Sequence, residues 1–202
     1  MIRKMNKRWF GLVTAITVAE VALVSLAMGQ SSNAERRVPV TISGGYQTDR
    51  RDGGRPVVLI AAALGVSTDT FRRAFSRVTP ARGREPEPEQ VHRNKEGLLS
   101  VLEPYGITND RLDEVSDYYR YNAQKGELWR NRPASAYAIV AGRTIIGFKI
   151  TDPGEGYSSA PTVTIPGFEQ TPLSVSLKFT RELDSNGSIR SINLVTAKKA
   201  KD

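Results

Sequence analysis

Residues 152–165 read Asp152-Pro153-Gly154-Glu155-Gly156-Tyr157-Ser158-Ser159-Ala160-Pro161-Thr162-Val163-Thr164-Ile165, and this stretch decides the fold of the chain. Gly154 and Gly156 permit a turn with positive φ, a conformation that other residues adopt only at a steric cost. Tyr157 is then placed to cover the apolar face of a hairpin. Pro161 suits the start of the next strand, where no ladder donor is needed. We therefore predict a structural turn built on Gly154, Gly156 and Pro161.

Alternating apolar and polar residues on both sides of this turn predict four antiparallel strands. The strands are expected over residues 144–151, 162–165, 173–179 and 188–195, with a hairpin turn at Asp184-Ser185-Asn186-Gly187. Residues 136–197 are thus a predicted antiparallel β-module. Because so few strands are only marginally stable alone, we expect the module to pack against the rest of the chain.

Residues 56–135 have the pattern of a helical domain made of two αα-hairpins. Pro56 suits a first helical turn, residues 57–64 are nearly all apolar, and Gly65 ends that helix. Apolar residues at helical spacing predict three further helices over 68–78, 89–103 and 110–122. Residues 30–55 complete the mature chain with a short strand over 38–42 and a polar loop. The predicted fold class is α+β: a small helical bundle of two αα-hairpins followed by a small antiparallel β-module.

The two helix pairs share one local pattern. Residues 65–71 align with residues 106–112, and both stretches contain a glycine stop, an apolar residue, a hydroxyl cap and an acidic first turn. The pattern is typical of a duplicated hairpin, and it is equally typical of helix-end chemistry in general.

The N-terminal residues have the composition of an export signal. Four basic residues within positions 3–8 precede an apolar run over 9–28, and small residues at Ala27-Met28-Gly29 fit a cleavage site. Glu20 lies inside the run and would cost roughly 2.5–3.5 kcal/mol at the centre of a spanning helix. We predict that residues 1–29 are a signal peptide. An uncleaved N-terminal anchor and a buried cytosolic helix are the alternatives.

Composition limits the remaining function classes. The chain has no cysteine, which excludes disulfides, thiolate metal sites and a cysteine-linked lipid anchor. Its formal net charge is +8, and residues 198–202 form a basic tail that is either a solvated end or an attraction to an anionic envelope surface. An exported chain without disulfides is typical of bacteria. We therefore expect a secreted or periplasmic protein of the cell envelope.

Candidate contact residues are aromatic. Tyr118, Tyr119, Tyr121 and Trp129 form a cluster close to two arginines, and Tyr157 follows in the turn. Such a cluster is either core packing or a stacking surface for sugar rings or a partner's groove. With one histidine, His92, and no catalytic motif, we predict no metal, no cofactor and no enzymatic activity.

Residues 152–165 resemble a motif of the form G-x-G-Y-x-x-x-P-T-V-T-I that recurs in secreted bacterial surface proteins and phage tail proteins. The resemblance extends over about residues 146–197, and residues 40–45 contain an echo of it. In that family the motif occurs in tandem β-hairpins and carries no catalytic residues. The resemblance therefore implies a structural β-hairpin in an exported protein.

Residues 60–71 resemble the helix-turn-helix of bacterial DNA-binding regulators. Arg72, Arg73 and Arg77 follow on the second helix, where they are placed to meet phosphates. Export would separate the protein from the chromosome, so we predict no nucleic-acid partner and expect Arg72 and Arg73 only to solvate their helix.

These features together predict an exported, non-enzymatic envelope or extracellular interaction module. Its expected partner is an envelope polymer or another protein, with membrane contact only through an uncleaved N-terminal segment. The alternatives are a helix-turn-helix regulator and an enzyme whose site is not visible in the sequence.

Overall fold

The described part of the chain contains four α-helices and seven β-strands, and its fold class is α+β as predicted. The computed structural model describes residues 34–79, 87–122 and 125–195, so the predicted signal peptide and basic tail lie outside the described residues. The helices are α1 (Val57–Leu64), α2 (Thr68–Phe75), α3 (Pro88–Leu102) and α4 (Asn109–Tyr118). The strands are β1 (Glu35–Pro39), β2 (Thr41–Ser43), β3 (Ser135–Ala141), β4 (Thr144–Asp152), β5 (Thr162–Thr164), β6 (Leu173–Lys178) and β7 (Ser188–Leu194).

The strands pair antiparallel in three small sheets. The first sheet has the order β1-β3-β4, the second joins β2 to β5, and the third joins β6 to β7. Both strands that precede the helices therefore pair with strands that follow them. The β-part of the fold is assembled from both sides of the helical segment.

The strand predicted over residues 38–42 is divided in two by a change of sheet at Val40. The Val40 N–H donates to the Ala136 carbonyl at 3.2 Å, and the following residues pair with β5 instead. Pro39 lies opposite Tyr137, between pairs that carry the ladder bonds, so its missing N–H leaves no gap. A run of β-branched residues gives no signal for such a switch.

Strand β3 has no counterpart among the predicted strands, although it is the central strand of its sheet. Ala136, Ala138 and Val140 point into the core, and the residues between them are half-buried. Alanine is depleted in strands, which hides the alternation at the level of residue type. The strand forms because β1 and β4 both pair with it.

Helix ends follow local chemistry. Helix α1 has the predicted bounds, and the hydroxyls of Ser67 and Thr108 accept the predicted capping bonds at the starts of α2 and α4. Helix α2 ends at Phe75, three residues before the predicted end. The Ser76 hydroxyl donates to the Arg73 carbonyl there and competes with the helical ladder.

Helix α1 is the centre of the helical core. Leu59 and Ala63 are completely buried, and the same cluster contains Leu102, Val115 and Trp129. Two smaller apolar clusters fill the β-part. Within residues 34–79, 87–122 and 125–195, no helix has the length and apolar character required to cross a membrane.

A fully buried asparagine links the helices to the β-part. Asn186 lies in the connection between β6 and β7, where a short hairpin turn is predicted, and its side-chain amide donates to the Leu59 carbonyl at 2.8 Å and to the Tyr119 hydroxyl at 2.9 Å. Its side-chain oxygen accepts from the Thr180 N–H at 3.1 Å. The connection between β6 and β7 is longer than the predicted turn because it places the side chain of Asn186 in the core.

Candidate functional site

The predicted aromatic contact residues lie at the junction of the helices and the β-part. Tyr119, Trp129 and Tyr157 are each 2% exposed, whereas Tyr118 and Tyr121 are half-buried. The rings of the three buried residues pack in the core and present no open face in this conformation. Tyr118 and Tyr119 meet edge-on with centroids 5.1 Å apart, and the Tyr121 hydroxyl donates to the Gly53 carbonyl.

Tyr46 completes the aromatic core and is not among the predicted residues. Its ring stacks on Tyr157 at 5.4 Å and meets Trp129 edge-on at 6.3 Å. The Trp129 Nε1–H donates to the Gly156 carbonyl at 2.8 Å, and the Tyr157 hydroxyl accepts from the Ala134 N–H at 2.9 Å. Burial, together with the neighbouring Tyr157 hydroxyl, raises the pKa of Tyr46 to about 12.

The signal for Tyr46 is the sequence echo of the turn motif. Strand β2 of the echo pairs with β5 of the motif, with Ile42 opposite Val163. The Gly45 carbonyl then accepts from the N–H groups of Ser158 and Ser159 at 2.9 and 3.0 Å. The echo thus contains the partner strand of the motif, and Tyr46, which follows the echo, stacks on Tyr157 of the motif.

Gly154 and Gly156 of the turn have φ values of 63° and 79°. A Cβ atom at Gly156 would lie 2.8 Å from the Arg130 carbonyl oxygen. The glycine therefore serves two needs at once, a left-handed backbone and the close approach of the segment that carries Trp129. Pro161 is buried directly before β5.

A cleft of about 610 Å³ lies beside this core, and two of its lining residues, Tyr118 and Arg130, contact the buried carboxylate of Glu155. The Tyr118 hydroxyl donates to Glu155 Oε1 at 3.4 Å, and Arg130 Nε lies 3.8 Å from the same oxygen. Burial and the charge of Glu155 raise the pKa of Tyr118. The cleft walls carry equal numbers of basic and acidic residues: Arg111, Arg130, Arg181, Glu114, Glu182 and Asp184. Glu155 is thus held by Tyr118 and Arg130, and the lining of the cleft has no net charge.

The arginines of the helix-turn-helix resemblance make contacts within the chain. Arg72 binds Asp52 through two hydrogen bonds of 2.8 and 2.9 Å, and Asp52 is 5% exposed. Arg73 and Arg77 donate to hydroxyls of Thr70 and Ser100. The expectation that Arg72 only solvates its helix is wrong, because it neutralises a buried carboxylate and ties the loop before α1 to α2.

We expect Arg72→Ala to lower the free energy of unfolding by about 2 kcal/mol, because Asp52 would remain buried without its partner. Arg73→Ala is the matched control, since the neighbouring Arg73 is exposed and its loss should stay within about 0.5 kcal/mol. Urea unfolding of both variants measures the difference. Equal stability of the two variants would contradict an anchoring role for Arg72.

A second concave feature is the edge-strand groove, which we define by residues 146–150 of β4 and 190–194 of β7 and which encloses about 620 Å³. The two strands meet where the Ile189 N–H donates to the Pro153 carbonyl at 2.8 Å. Beyond this bond they belong to different sheets, and none of the described strands pairs with the outer side of β4. The groove therefore runs between two strand edges.

Backbone groups of both strands face into this groove. The Ala136 carbonyl is used by Val40, so the opposite residue, Ile150, is not bonded across β3 and β4, and its N–H and C=O point outward. On β7, the Val195 N–H is used by Pro172, so the preceding residue, Leu194, directs its backbone groups outward. Because no described residue pairs with these groups, both edges offer backbone donors and acceptors.

The side chains at the open end of the groove are apolar and exposed. Ile146 is 52% exposed and Leu194 is 41% exposed. Their signal in the sequence is the break of alternation at Ile145-Ile146 and at Leu194-Val195, where two apolar residues adjoin. One residue of each such pair must leave the core face.

Across residues 34–79, 87–122 and 125–195 no three acidic or histidine side chains lie close enough together to hold a metal ion. No known protein family, curated protein or solved structure shows significant similarity to the chain.

Proposed function

We propose that this chain is an exported, non-enzymatic interaction module of the cell envelope or extracellular space, and that it binds its partner in the edge-strand groove. The observation that carries this proposal is the pair of unpaired strand edges that flank exposed Ile146 and Leu194. Strand edges bind extended polypeptides through main-chain hydrogen bonds, and pockets beside them select side chains.

Exposed strand edges invite pairing with other chains, and stable proteins commonly cover them or place charges on them. Here Lys149 and Arg190 place charges beside the edge and the Ile189–Pro153 bond closes one end, but the other end still exposes two large apolar side chains. A surface of this kind is typical of a binding site.

A protein partner is favoured over an envelope polymer by the burial of the aromatic rings. Sugar recognition uses open ring faces, whereas Trp129 and Tyr157 are enclosed. Arg72, Arg73 and Arg77 all make contacts within the chain, which supports our proposal that the partner is not a nucleic acid. Among the residues that the structure describes, no arrangement calls for a cofactor, and we propose that membrane contact would arise only through an uncleaved N-terminal segment.

The proposed export of the protein is supported by the N-terminal composition and by the resemblance of residues 152–165 to the surface-protein motif. We also propose the finer architecture of two αα-hairpins followed by a small antiparallel β-module, with β1 and β2 from before the helices pairing onto its strands. Its support is the repeated cap chemistry, with Ser67 and Thr108 each capping the second helix of a pair.

Site-specific photo-crosslinking in the cells that produce the protein tests this function. A benzophenone side chain at Ile146 or Leu194 should give adducts with an envelope or extracellular protein. The matched control is Leu128, which is 47% exposed and lies outside the groove. Cell fractionation of the same samples locates the chain. Equal labelling from Leu128, or a chain confined to the cytoplasm, would contradict the proposal.

A further inference from the structure

We infer that the ligand of the edge-strand groove is an extended polypeptide segment in which apolar and acidic residues alternate; this inference rests on the proposed function and specifies its partner. The backbone geometry indicates an extended chain. Outward-facing donors and acceptors of Ile150 and, by alternation along the strand, of Phe148 lie on one wall. Leu194 and Ile192 supply the same groups on the other wall. Only a strand-like ligand presents complementary groups at this spacing.

The apolar half of the ligand follows from the side chains of the groove. Ile146 and Leu194 are exposed at its open end, and Phe148 and Ile150 are half-buried within it. Because side chains of a strand alternate between its two faces, every second residue of the bound segment would contact this apolar surface. Apolar side chains of the ligand and of the groove would be buried against each other, which favours binding, whereas a polar segment would bury much less apolar surface.

The acidic residues of the ligand are inferred from the positive charge of the groove. Lys149 and Arg190 line the groove and are exposed, and none of its lining residues is acidic. Neither side chain has an ion-pair partner among the described residues. Two cations without an ion-pair partner in the described part of the chain flank the site, so carboxylates on the solvent-facing residues of the ligand would be attracted and lysines would be repelled.

The same charges argue against two other occupants. The tail over residues 198–202 carries three lysines, which Lys149 and Arg190 would repel. A second copy of the chain would bring an identical pair of cations to the groove in a symmetric edge-to-edge pairing. A separate acidic partner is therefore the occupant that the groove favours.

The experiment measures binding of defined peptides to the purified full chain by fluorescence anisotropy. The first probe is a labelled octapeptide of alternating glutamate and valine, and the second replaces every glutamate with lysine. We expect the acidic peptide to bind at least about tenfold more tightly, and N-methylation of alternate peptide nitrogens to weaken its binding about tenfold. Raising the salt concentration should weaken binding further.

Matched variants assign this binding to the groove. Lys149→Glu combined with Arg190→Glu changes only exposed side chains and should reverse the preference between the two peptides. Ile146→Asp should weaken the acidic peptide about tenfold, whereas Leu128→Asp, at similar exposure, should leave it unchanged. Circular dichroism verifies that each variant is folded.

The outcomes separate this inference from the proposed function. Equal binding of both peptides, or binding of neither while Ile146 still crosslinks in cells, overturns the acidic strand and leaves the interaction module in place. A concentration-dependent dimer that Ile146→Asp abolishes would assign the groove to a second copy and overturn the inference as well. Reversal of preference in the double charge variant supports it.

Discussion

Asn186→Asp is expected to lower the free energy of unfolding by about 3–5 kcal/mol at neutral or higher pH, because it places an uncompensated charge in the core. Asn186 is completely buried, and its side-chain nitrogen donates to the Leu59 carbonyl and the Tyr119 hydroxyl. A carboxylate cannot donate to either acceptor, so it would meet the Leu59 carbonyl oxygen with like partial charge. Urea unfolding measures the loss.

The pH dependence of this variant has a definite sign. Burial raises the pKa of a carboxyl group in the folded state above its unfolded value of about 4. The stabilising contribution of the protonated form is therefore present below about pH 4 and is lost as pH rises through the raised folded-state pKa. Asn186→Asp should be least destabilised in acid.

The control for this experiment is Asn193→Asp, since Asn193 is exposed on β7. Because this side chain is exposed, Asn193→Asp should change the free energy of unfolding by no more than about 0.5 kcal/mol. If Asn186→Asp were as mild as Asn193→Asp at every pH, the side chain at position 186 would not link the helices to the β-part.

Gly187→Ala is expected to cost about 3 kcal/mol, through backbone strain at positive φ and through overpacking. Gly187 has a φ of 71°, and a Cβ atom there would lie 2.5 Å from the Tyr157 carbonyl oxygen and 2.6 Å from a methyl of Leu59. Neither neighbour can yield easily, because one is backbone and the other is in the helical core. Thermal or urea unfolding measures the effect.

Gly167→Ala separates the two causes. Gly167 has a φ of 80°, but a Cβ atom there would have no neighbour within 4 Å. The control should therefore show only the strain, on the order of 1 kcal/mol. Equal losses at the two positions would show that the close approach of Gly187 to Tyr157 does not contribute.

Local chemistry accounts for what the sequence predicted well. The bounds of α1 follow from Pro56 before it and Gly65 after it, and the hydroxyl caps of α2 and α4 lie where the pattern places them. Each of these signals acts within a few residues. The limits of β4, β6 and β7 are close to their predicted positions for the same reason, since alternation is a local property.

Features that depend on distant partners were not predictable in this way. The switch at Val40 requires two different sheets, and β3 is a strand because both neighbours pair with it. The connection containing Asn186 has turn-forming residues, but its conformation follows from a contact with Leu59, which lies far away in the sequence. The edge-strand groove is the extreme case, because a strand edge stays open only when no other strand of the fold pairs with it, and that is not a local property of the sequence.

Asn186 and Gly187 together also form an Asn-Gly pair, a sequence that is prone to deamidation. In a flexible Asn-Gly pair the glycine nitrogen attacks the side-chain amide carbon, expels ammonia and forms a succinimide, which water opens to aspartate or isoaspartate. In the folded chain the Gly187 N–H donates to the Lys178 carbonyl at 2.9 Å, and the Asn186 amide donates to two acceptors, so both reacting groups are held by other partners and the attack is disfavoured. A chain that stays unfolded can deamidate at Asn186, and the product carries a carboxylate at a position where the core requires an amide. Prompt folding thus preserves the residue on which folding depends.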